Sequence, residues 1–396
     1  MKLSFDYACS ECGQSFEIKV GLMLCPDCSA RKKQEEPLRG VLEVRFQGEV
    51  RDNFGPLDLL PVEREYFPDL PVGNTPLWSS GRLCEANRFP GLYIKDDGLN
   101  PTGSLKDRAS MLVAAFARKH GIGEVVVAST GNAGSSMSGV GAAAGLKVKL
   151  FLPKTAPPAK MVQSLQYGAE VILAEKNYDQ AFSLSLEYSD LYGGLNRNTA
   201  FNPLTIEGKK TVSIEIWQQL RKCPDRVYVS VGDGVILSGV YKGFRDLHQL
   251  GLISRVPVIV GVQAEGSDAI TRALKTGKFE AKPSLTVADS ISVDIPSNGY
   301  MALKNLKNYR GCCVTVSDDT ILEAQKELSS IAGVFAEPAS AAAYAGFLKE
   351  KIGLDPETVC VILLTGNGLK DVNAASRKLK IPEHTVNSLD ELKLST

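Results

Sequence analysis

The chain has no net charge, since 45 Lys+Arg stand against 45 Asp+Glu in 396 residues. That balance argues against nucleic acid or an anionic membrane as the main partner. Long apolar runs are absent too. Val125-Val126-Val127-Ala128 and Cys360-Val361-Ile362-Leu363-Leu364 fall far short of the roughly 20 residues a bilayer requires. The N-terminus has no apolar stretch of the secretory kind, because Asp6, Cys9 and Glu11 interrupt it. A cytoplasmic location is therefore expected. Histidine is scarce: His120, His248 and His384 have no evident partners, and each is expected at the surface. No Walker A pattern, complete G-x-G-x-x-G, internal repeat or low-complexity tract occurs, so a dinucleotide is disfavoured.

What is present is a chain long enough for two or three domains, with an ordinary hydrophobic fraction of 44%. Four of its nine cysteines, Cys9, Cys12, Cys25 and Cys28, form C-x2-C-x12-C-x2-C. In a reducing compartment this reads as a metal site, not a disulfide frame. Each pair aims two thiolates at one ion, and Gly13 and Pro26 suit the tight turns required. Four thiolates favour tetrahedral, structural zinc. A ribbon that has kept its cysteines and lost its ion is the competing reading. Cys84, Cys223, Cys312, Cys313 and Cys360 follow no ligand spacing.

The N-terminal ribbon is too small to fold without help, so metal is expected to stabilise it. A charged linker and an irregular, proline-rich stretch follow. From Leu92 onward short apolar strands alternate with helices. Strands are expected at 125–128, 148–152, 170–174, 227–231, 256–262 and 359–364. Helices are expected at 134–144, 159–167, 208–221, 236–250, 268–275, 319–332 and 339–351. The alternation predicts an α/β fold with parallel sheets covered by helices on both faces.

Ligands in such folds bind beyond the carboxyl ends of strands. Three glycine-bearing loops lie there: Ser129-Thr130-Gly131-Asn132, Gly232-Asp233-Gly234 and Thr365-Gly366-Asn367-Gly368. The second follows an apolar strand and opens a helix, a place suited to a phosphate. Lys106 sits where the turn Asn100-Pro101-Thr102-Gly103 meets a helix. There the positive end of the helix dipole disfavours its ammonium. A lysine that loses its proton readily can form a Schiff base; a solvated lysine beside an Asp-Arg pair is the plain alternative. A phosphate loop plus a reactive lysine suggests pyridoxal phosphate, its phosphate on the loop and its aldehyde on Lys106.

Several motifs resemble the threonine synthase group of fold-type-II pyridoxal-phosphate enzymes, within the tryptophan synthase beta superfamily. They are Pro101-Thr102-Gly103-Ser104-Leu105-Lys106-Asp107-Arg108, Ser129-Thr130-Gly131-Asn132, Asn202-Pro203 with Glu207-Gly208, Phe335-Ala336-Glu337-Pro338-Ala339-Ser340 and Thr365-Gly366-Asn367-Gly368-Leu369-Lys370-Asp371. The resemblance covers about residues 70–375, and a cysteine ribbon occurs in some members. It implies a zinc ribbon over residues 1–35 and an extended wrapping segment over 36–75. It further implies a large cofactor-binding domain from 76–110 and 208–385, a small domain over 111–207, a tail over 386–396, and a homodimer. By the same resemblance Lys106 carries the cofactor and moves the substrate's α proton, and Asn132 binds the cofactor's 3′-oxygen. Gly232, Asp233, Gly234, Val235 and Ile236 form the cofactor-phosphate loop, and Thr365 faces the pyridine nitrogen. Ser129, Thr130, Gly131 and Asn132 grip the substrate, with Ala133, Thr205 and Asp233 on its far side. A neutral hydroxyl at the ring nitrogen suits β- or γ-elimination and replacement better than transamination.

The chain departs from the family pattern where the substrate's own phosphate is held. The usual arginine is Thr205, the usual serine Ala200, the usual threonine Ala133, and the usual asparagine Asp233. Asn367 replaces a common histidine, and Asp289–Leu303 is unlike the usual segment. These changes lead to the expectation of a small, non-phosphorylated amino-acid substrate, with authentic threonine synthase (O-phosphohomoserine and water to threonine and phosphate) as the alternative. A zinc-ribbon interaction protein on an inactive scaffold is the alternative of another class. Glu337 is either near the cofactor or simply a charge at a helix N-terminus. Tyr300 and Ser297 are expected to line the substrate pocket.

Overall fold

The computed structural model describes residues 3–51, 53–380, 382 and 385–388. Its main body holds two sheets. The larger runs in the order Cys312–Val316, Val258–Ala264, Arg226–Ser230, Cys360–Leu364, Leu92–Asp96 and Leu77–Trp78. All neighbours are parallel except Leu77–Trp78, which pairs antiparallel with Leu92–Asp96. The smaller sheet is wholly parallel, in the order Glu170–Ala174, Lys147–Pro153, Glu124–Ala128 and Leu195–Asn196.

Central strands covered on both faces read as unbroken apolar runs. Cys360–Leu364 is the clearest case, with every residue buried. Against it lies the alanine-rich helix Pro338–Glu350, buried from Pro338 to Phe347. Its small side chains permit close approach: a Cβ on Gly346 would stand 2.3 Å from Val262 Cγ2.

The expected strands and helices are present within a few residues, with some differences. Residues 42–47, expected to be irregular, form a strand that pairs antiparallel with Ser4–Cys9 and completes the ribbon's sheet. Leu42, Val44 and Phe46 alternate toward its buried side, so the period-two signal was present but short. The helix expected over 208–221 is two, Leu204–Lys209 and Thr211–Leu220. Lys210 at their junction is buried and ion-paired with Glu207 and Asp246. Helices Tyr178–Tyr192 and Gly299–Asn308 and strand Cys312–Val316 were not expected. The first carries weak apolar periodicity, and Gly299 opens the second.

The ribbon docks on the body through named contacts. Arg245 pairs with Glu43 at 2.8 Å, Arg39 Nη2 donates to the Tyr300 hydroxyl at 3.3 Å, and the Leu38 N–H donates to the Ser297 carbonyl at 3.1 Å. Tyr300 also lies beneath the Arg39 guanidinium, 4.5 Å from its ring centre, and edge-on to Phe279. The expectation that Tyr300 and Ser297 line the substrate pocket is thus corrected: neither lines the cleft cavity, Tyr300 packs on Arg39, and the Ser297 carbonyl meets Leu38. His120 and His248 are exposed as expected, and His384 lies outside the described residues.

Candidate active site

Lys106 opens the helix Lys106–Lys119. Gly103, at φ +88°, makes the turn before it, a conformation natural to glycine. Asp107 holds that turn by accepting from the Thr102 N–H at 2.8 Å and its hydroxyl at 2.5 Å. Arg108 points the other way, pairing with Asp97 at 2.5 Å and Glu215 at 2.6 Å in a buried network. Asp107 and Arg108 are therefore spent on fixing the helix start. The Lys106 amine is left within electrostatic reach of Asp233, Arg197 and Glu337.

The lysine loop is knitted to the loop after the central strand. The Leu105 N–H donates to the Thr365 carbonyl at 2.9 Å, and the Asn367 N–H donates to the Gly103 carbonyl at 3.0 Å. Ser340 braces the same loop, accepting from the N–H groups of Thr365 and Gly366 at 2.7 and 2.6 Å. Thr365 is 5% exposed, its hydroxyl 3.2 Å from that of Ser340 and 3.4 Å from that of Ser230.

Gly232-Asp233-Gly234 leads into the helix Val235–Gln249. A Cβ on Gly232 would lie 2.9 Å from the Ile291 backbone, and Gly234 has φ +87°. The first N–H groups of such a helix lack intrahelical partners and face outward. Asp233 accepts from the Val235 N–H at 3.0 Å, so one donor of this loop is already engaged. Val235 and Ile236 are buried.

Asn132 opens the helix Asn132–Ala144 and donates its amide to both Glu337 oxygens, at 3.1 and 2.9 Å. Glu337 is 3% exposed, and burial raises its carboxyl above the usual range. Glu337 therefore stands in the cleft, which answers the alternative left open by its sequence position. Thr130, Gly131, Asn132, Glu337, Ser290 and Lys370 contribute to a cavity of about 380 Å³ at the cleft. The Ser129 hydroxyl accepts from the Gly131 N–H at 3.2 Å, and Ala133 is half-buried beside it.

Thr205 is fully buried and its hydroxyl is consumed locally. It donates to the Asn202 carbonyl at 2.7 Å and accepts from the Ala200 N–H at 3.3 Å. Two cations that the sequence reading missed stand nearby. Arg197, fully buried, follows the edge strand Leu195–Asn196. Its Nη1 donates to Thr199 at 2.8 Å, its Nε reaches Ser110 at 3.4 Å, and its Nη2 has no partner. Lys209, also fully buried, donates to the Thr205 carbonyl at 2.8 Å. A signal existed: a basic residue just past a strand's carboxyl end. The strand is two residues long and was not recognised.

Burial lowers the pKa of Lys106, with Arg197 adding to the effect and Asp233 and Glu337 opposing it. Burial likewise lowers Arg197 to about 10, against the pull of Asp233 and Tyr178. Lys209 falls well below the ordinary lysine value through burial, then through Lys106 and Arg197. The dipole at the Lys106 helix start acts in the same direction, yet burial dominates.

In the ribbon, the sulfur atoms of Cys9, Cys12, Cys25 and Cys28 all lie within 4.8 Å of one another. The Cys12 and Cys25 sulfurs are 3.9 Å apart. A tetrahedral zinc with bonds of about 2.3 Å sets its sulfurs about 3.8 Å apart, so the donors fit.

Comparison with known proteins agrees with this geometry. The family model described as pyridoxal-phosphate dependent enzyme matches residues 69–366. Threonine synthase of Methanosarcina acetivorans is 35% identical over 390 residues, covering 93% of this chain and 92% of that protein. Threonine synthase of Methanocaldococcus jannaschii is 34% identical over 388 residues, covering 94% and 95%. Among solved structures, the processed form of threonine deaminase isoform 2 from Solanum lycopersicum superposes with a TM-score of 0.67. It is 23% identical, over 81% of this chain and 92% of that one. Maize serine racemase also gives 0.67, at 22% identity over 75% and 88%. The chain belongs to the fold-type-II family of pyridoxal-phosphate dependent enzymes, among its threonine synthase-like members.

Proposed function

We propose that this lyase-class enzyme performs β- or γ-elimination or replacement on a small L-amino acid, and that the threonine synthase reaction is the best-supported instance. The observation that carries the reading is the convergence of Lys106, Thr365, Asn132 and the Gly232–Gly234 loop at the carboxyl ends of the two sheets. Pyridoxal phosphate, when bound, supplies an electron sink for negative charge at the substrate α-carbon. Lys106 would anchor it and, once released, move the proton at that carbon. Asn132, held by Glu337, would orient the cofactor ring through its 3′-oxygen. The Gly232–Gly234 loop and the N–H groups at Val235 and Ile236 would hold the cofactor phosphate. Thr365 would meet the ring nitrogen as a neutral hydroxyl. Ser129, Thr130 and Gly131 would hold the substrate carboxylate at the mouth of the Asn132 helix.

The relatives favour phosphate release from O-phosphohomoserine. Thr205, Ala200, Ala133 and Asp233 favour the second reading, a substrate without phosphate. One assay separates the two. O-phosphohomoserine is compared with serine, threonine, O-acetylated amino acids and diamino acids, measuring threonine, phosphate and oxo acids. Turnover of O-phosphohomoserine to threonine supports the first. Turnover confined to unphosphorylated substrates supports the second, and no turnover of any opposes both.

The four-cysteine cluster would hold structural zinc, closed to substrate. The proposal includes a cytoplasmic homodimer, and a division into ribbon (1–35), wrapping segment (36–75), large domain (76–110 and 208–385), small domain (111–207) and tail (386–396). The strand at Leu42–Gln47 joins part of the second segment to the ribbon's sheet.

A further inference from the structure

The buried positive charge around Lys106 exceeds what its neighbours balance. Three basic side chains, Lys106, Arg197 and Lys209, share the carboxylate of Asp233, with Glu337 also acting on Lys106 and Asp107 on Arg197. Buried charges are normally paired. Arg197 nonetheless keeps a buried Nη2 without any partner.

Three packing contacts fix where this surplus lies. Arg197 reaches the hydroxyl of Ser110, four residues beyond Lys106 on the same helix. Positions four apart share a helix face, so the guanidinium lies one turn from the Lys106 side chain. Lys209 ends the short helix Leu204–Lys209, wedged between the Lys106 helix and the helix of the glycine loop. A Cβ on Gly208 would stand 2.3 Å from the Arg108 carbonyl, and one on Gly239 would stand 2.7 Å from Lys209 Cβ. Gly239 is four residues past Val235, so Lys209 packs one turn into the loop helix. Tyr178, whose hydroxyl donates to the Ala128 carbonyl at 3.3 Å, also acts on Arg197. Asp107 also acts on Arg197 but is spent on Thr102.

We propose that Arg197 and Lys209 form an anion subsite beside Lys106 that receives an oxyanion on the substrate's side chain, a phosphate ester first among them. The proposal deepens, and rests on, the amino-acid reaction put forward above. It also accounts for the missing cation at position 205: positive charge is supplied from a strand end and from the far end of the Thr205 helix instead. Arg197 offers a free N–H for the oxyanion, and Lys209 adds a second buried basic group. Asp233 limits the surplus while the subsite is empty.

The test uses the cofactor-loaded, full-length protein. The absorbance spectrum of the bound cofactor is titrated with 2-amino-5-phosphonopentanoate, an unreactive anionic amino acid, and with neutral norvaline. The wild type is expected to prefer the phosphonate. Arg197→Gln and Lys209→Met should each weaken the phosphonate by roughly ten- to a hundred-fold, the worth of one charge-assisted hydrogen bond. Norvaline and cofactor affinities should hold within about three-fold. Equal weakening of both amino acids overturns the proposal, as does a wild type without preference. Loss of cofactor affinity in place of phosphonate affinity also overturns it, since the cations then hold the cofactor phosphate. If Arg197→Gln fails to fold, Arg197→Lys replaces it, with partial retention expected. Calorimetry with inorganic phosphate separates this inference from the function it rests on. If no amino acid perturbs the spectrum, yet phosphate binds the wild type and not the variants, the reaction class falls and the subsite stands. Phosphate binding unchanged in the variants removes the subsite.

Discussion

Ser340→Ala offers a sharp test of how the lysine loop and the Thr365 loop are held together. The Ser340 hydroxyl is wholly buried and accepts from two backbone N–H groups, those of Thr365 and Gly366, while donating to the Gly366 carbonyl at 3.0 Å. Alanine keeps the Cβ and suits the helix Pro338–Glu350, so propensity is not the issue. Both N–H groups lose their side-chain acceptor in a place water does not reach. Each such orphan costs about 1–3 kcal/mol, so the pair costs about 2–6 kcal/mol. The Thr365 carbonyl also receives the Leu105 N–H, so the loss should loosen the approach to Lys106. Urea unfolding of the cofactor-free protein should show the destabilisation, and absorbance titration should show weaker cofactor binding. A stability change under about 0.5 kcal/mol with unaltered cofactor affinity would refute the bracing role.

Other perturbations bear on separate parts of the account. Cofactor loading uses the neutral amine of Lys106, whose pKa is lowered chiefly by burial. The loading midpoint measured by absorbance should therefore lie below the ordinary lysine value of about 10.4. Arg197→Gln should move it up and Asp233→Asn down, and opposite shifts would contradict the charge assignment. The same lowering gives a sign for stability. The unfolded lysine binds its proton at pH values where the folded one has lost it, so cofactor-free stability should rise with pH through that window, and less steeply in Lys106→Met. Glu337→Ala leaves the Asn132 amide without its two acceptors, and cofactor affinity should drop by roughly ten-fold or more. Gly208→Ala drives a methyl against the Arg108 carbonyl and should cost about 1–3 kcal/mol of stability. Metal analysis of the wild type should find about one zinc per chain, lost in Cys25→Ser together with protease resistance of the segment up to residue 47. A metal-free wild type with an intact ribbon would contradict the zinc assignment.

The parallel α/β body was legible because its central strands are short, wholly apolar and separated by periodic helices, as at Val125–Ala128 and Cys360–Leu364. The glycine loops and Lys106 were legible from turn chemistry placed at strand ends. Tertiary pairing was not. Leu42–Gln47 gains its order from partnership with Ser4–Cys9, a contact far away in the chain. Arg197 and Lys209 look like ordinary surface cations in sequence. The packing of the Leu204–Lys209 helix between two others brings Lys209 inside, and the pairing of the short edge strand with Glu124–Ala128 brings Arg197 in. Tyr300 and Ser297 were drawn toward the pocket by their place in an unusual segment, whereas they meet Arg39 and Leu38. Thr205 shows the reverse case: its position suggested a substrate contact, and its hydroxyl instead closes its own loop.

The most direct test of the whole account is to load the purified protein with pyridoxal phosphate, reduce it with borohydride and map the modified peptide by mass spectrometry. A single phosphopyridoxyl group on Lys106, absent from Lys106→Ala, is the predicted result. A protein that takes up no cofactor, or one that carries the label on another lysine, would contradict it.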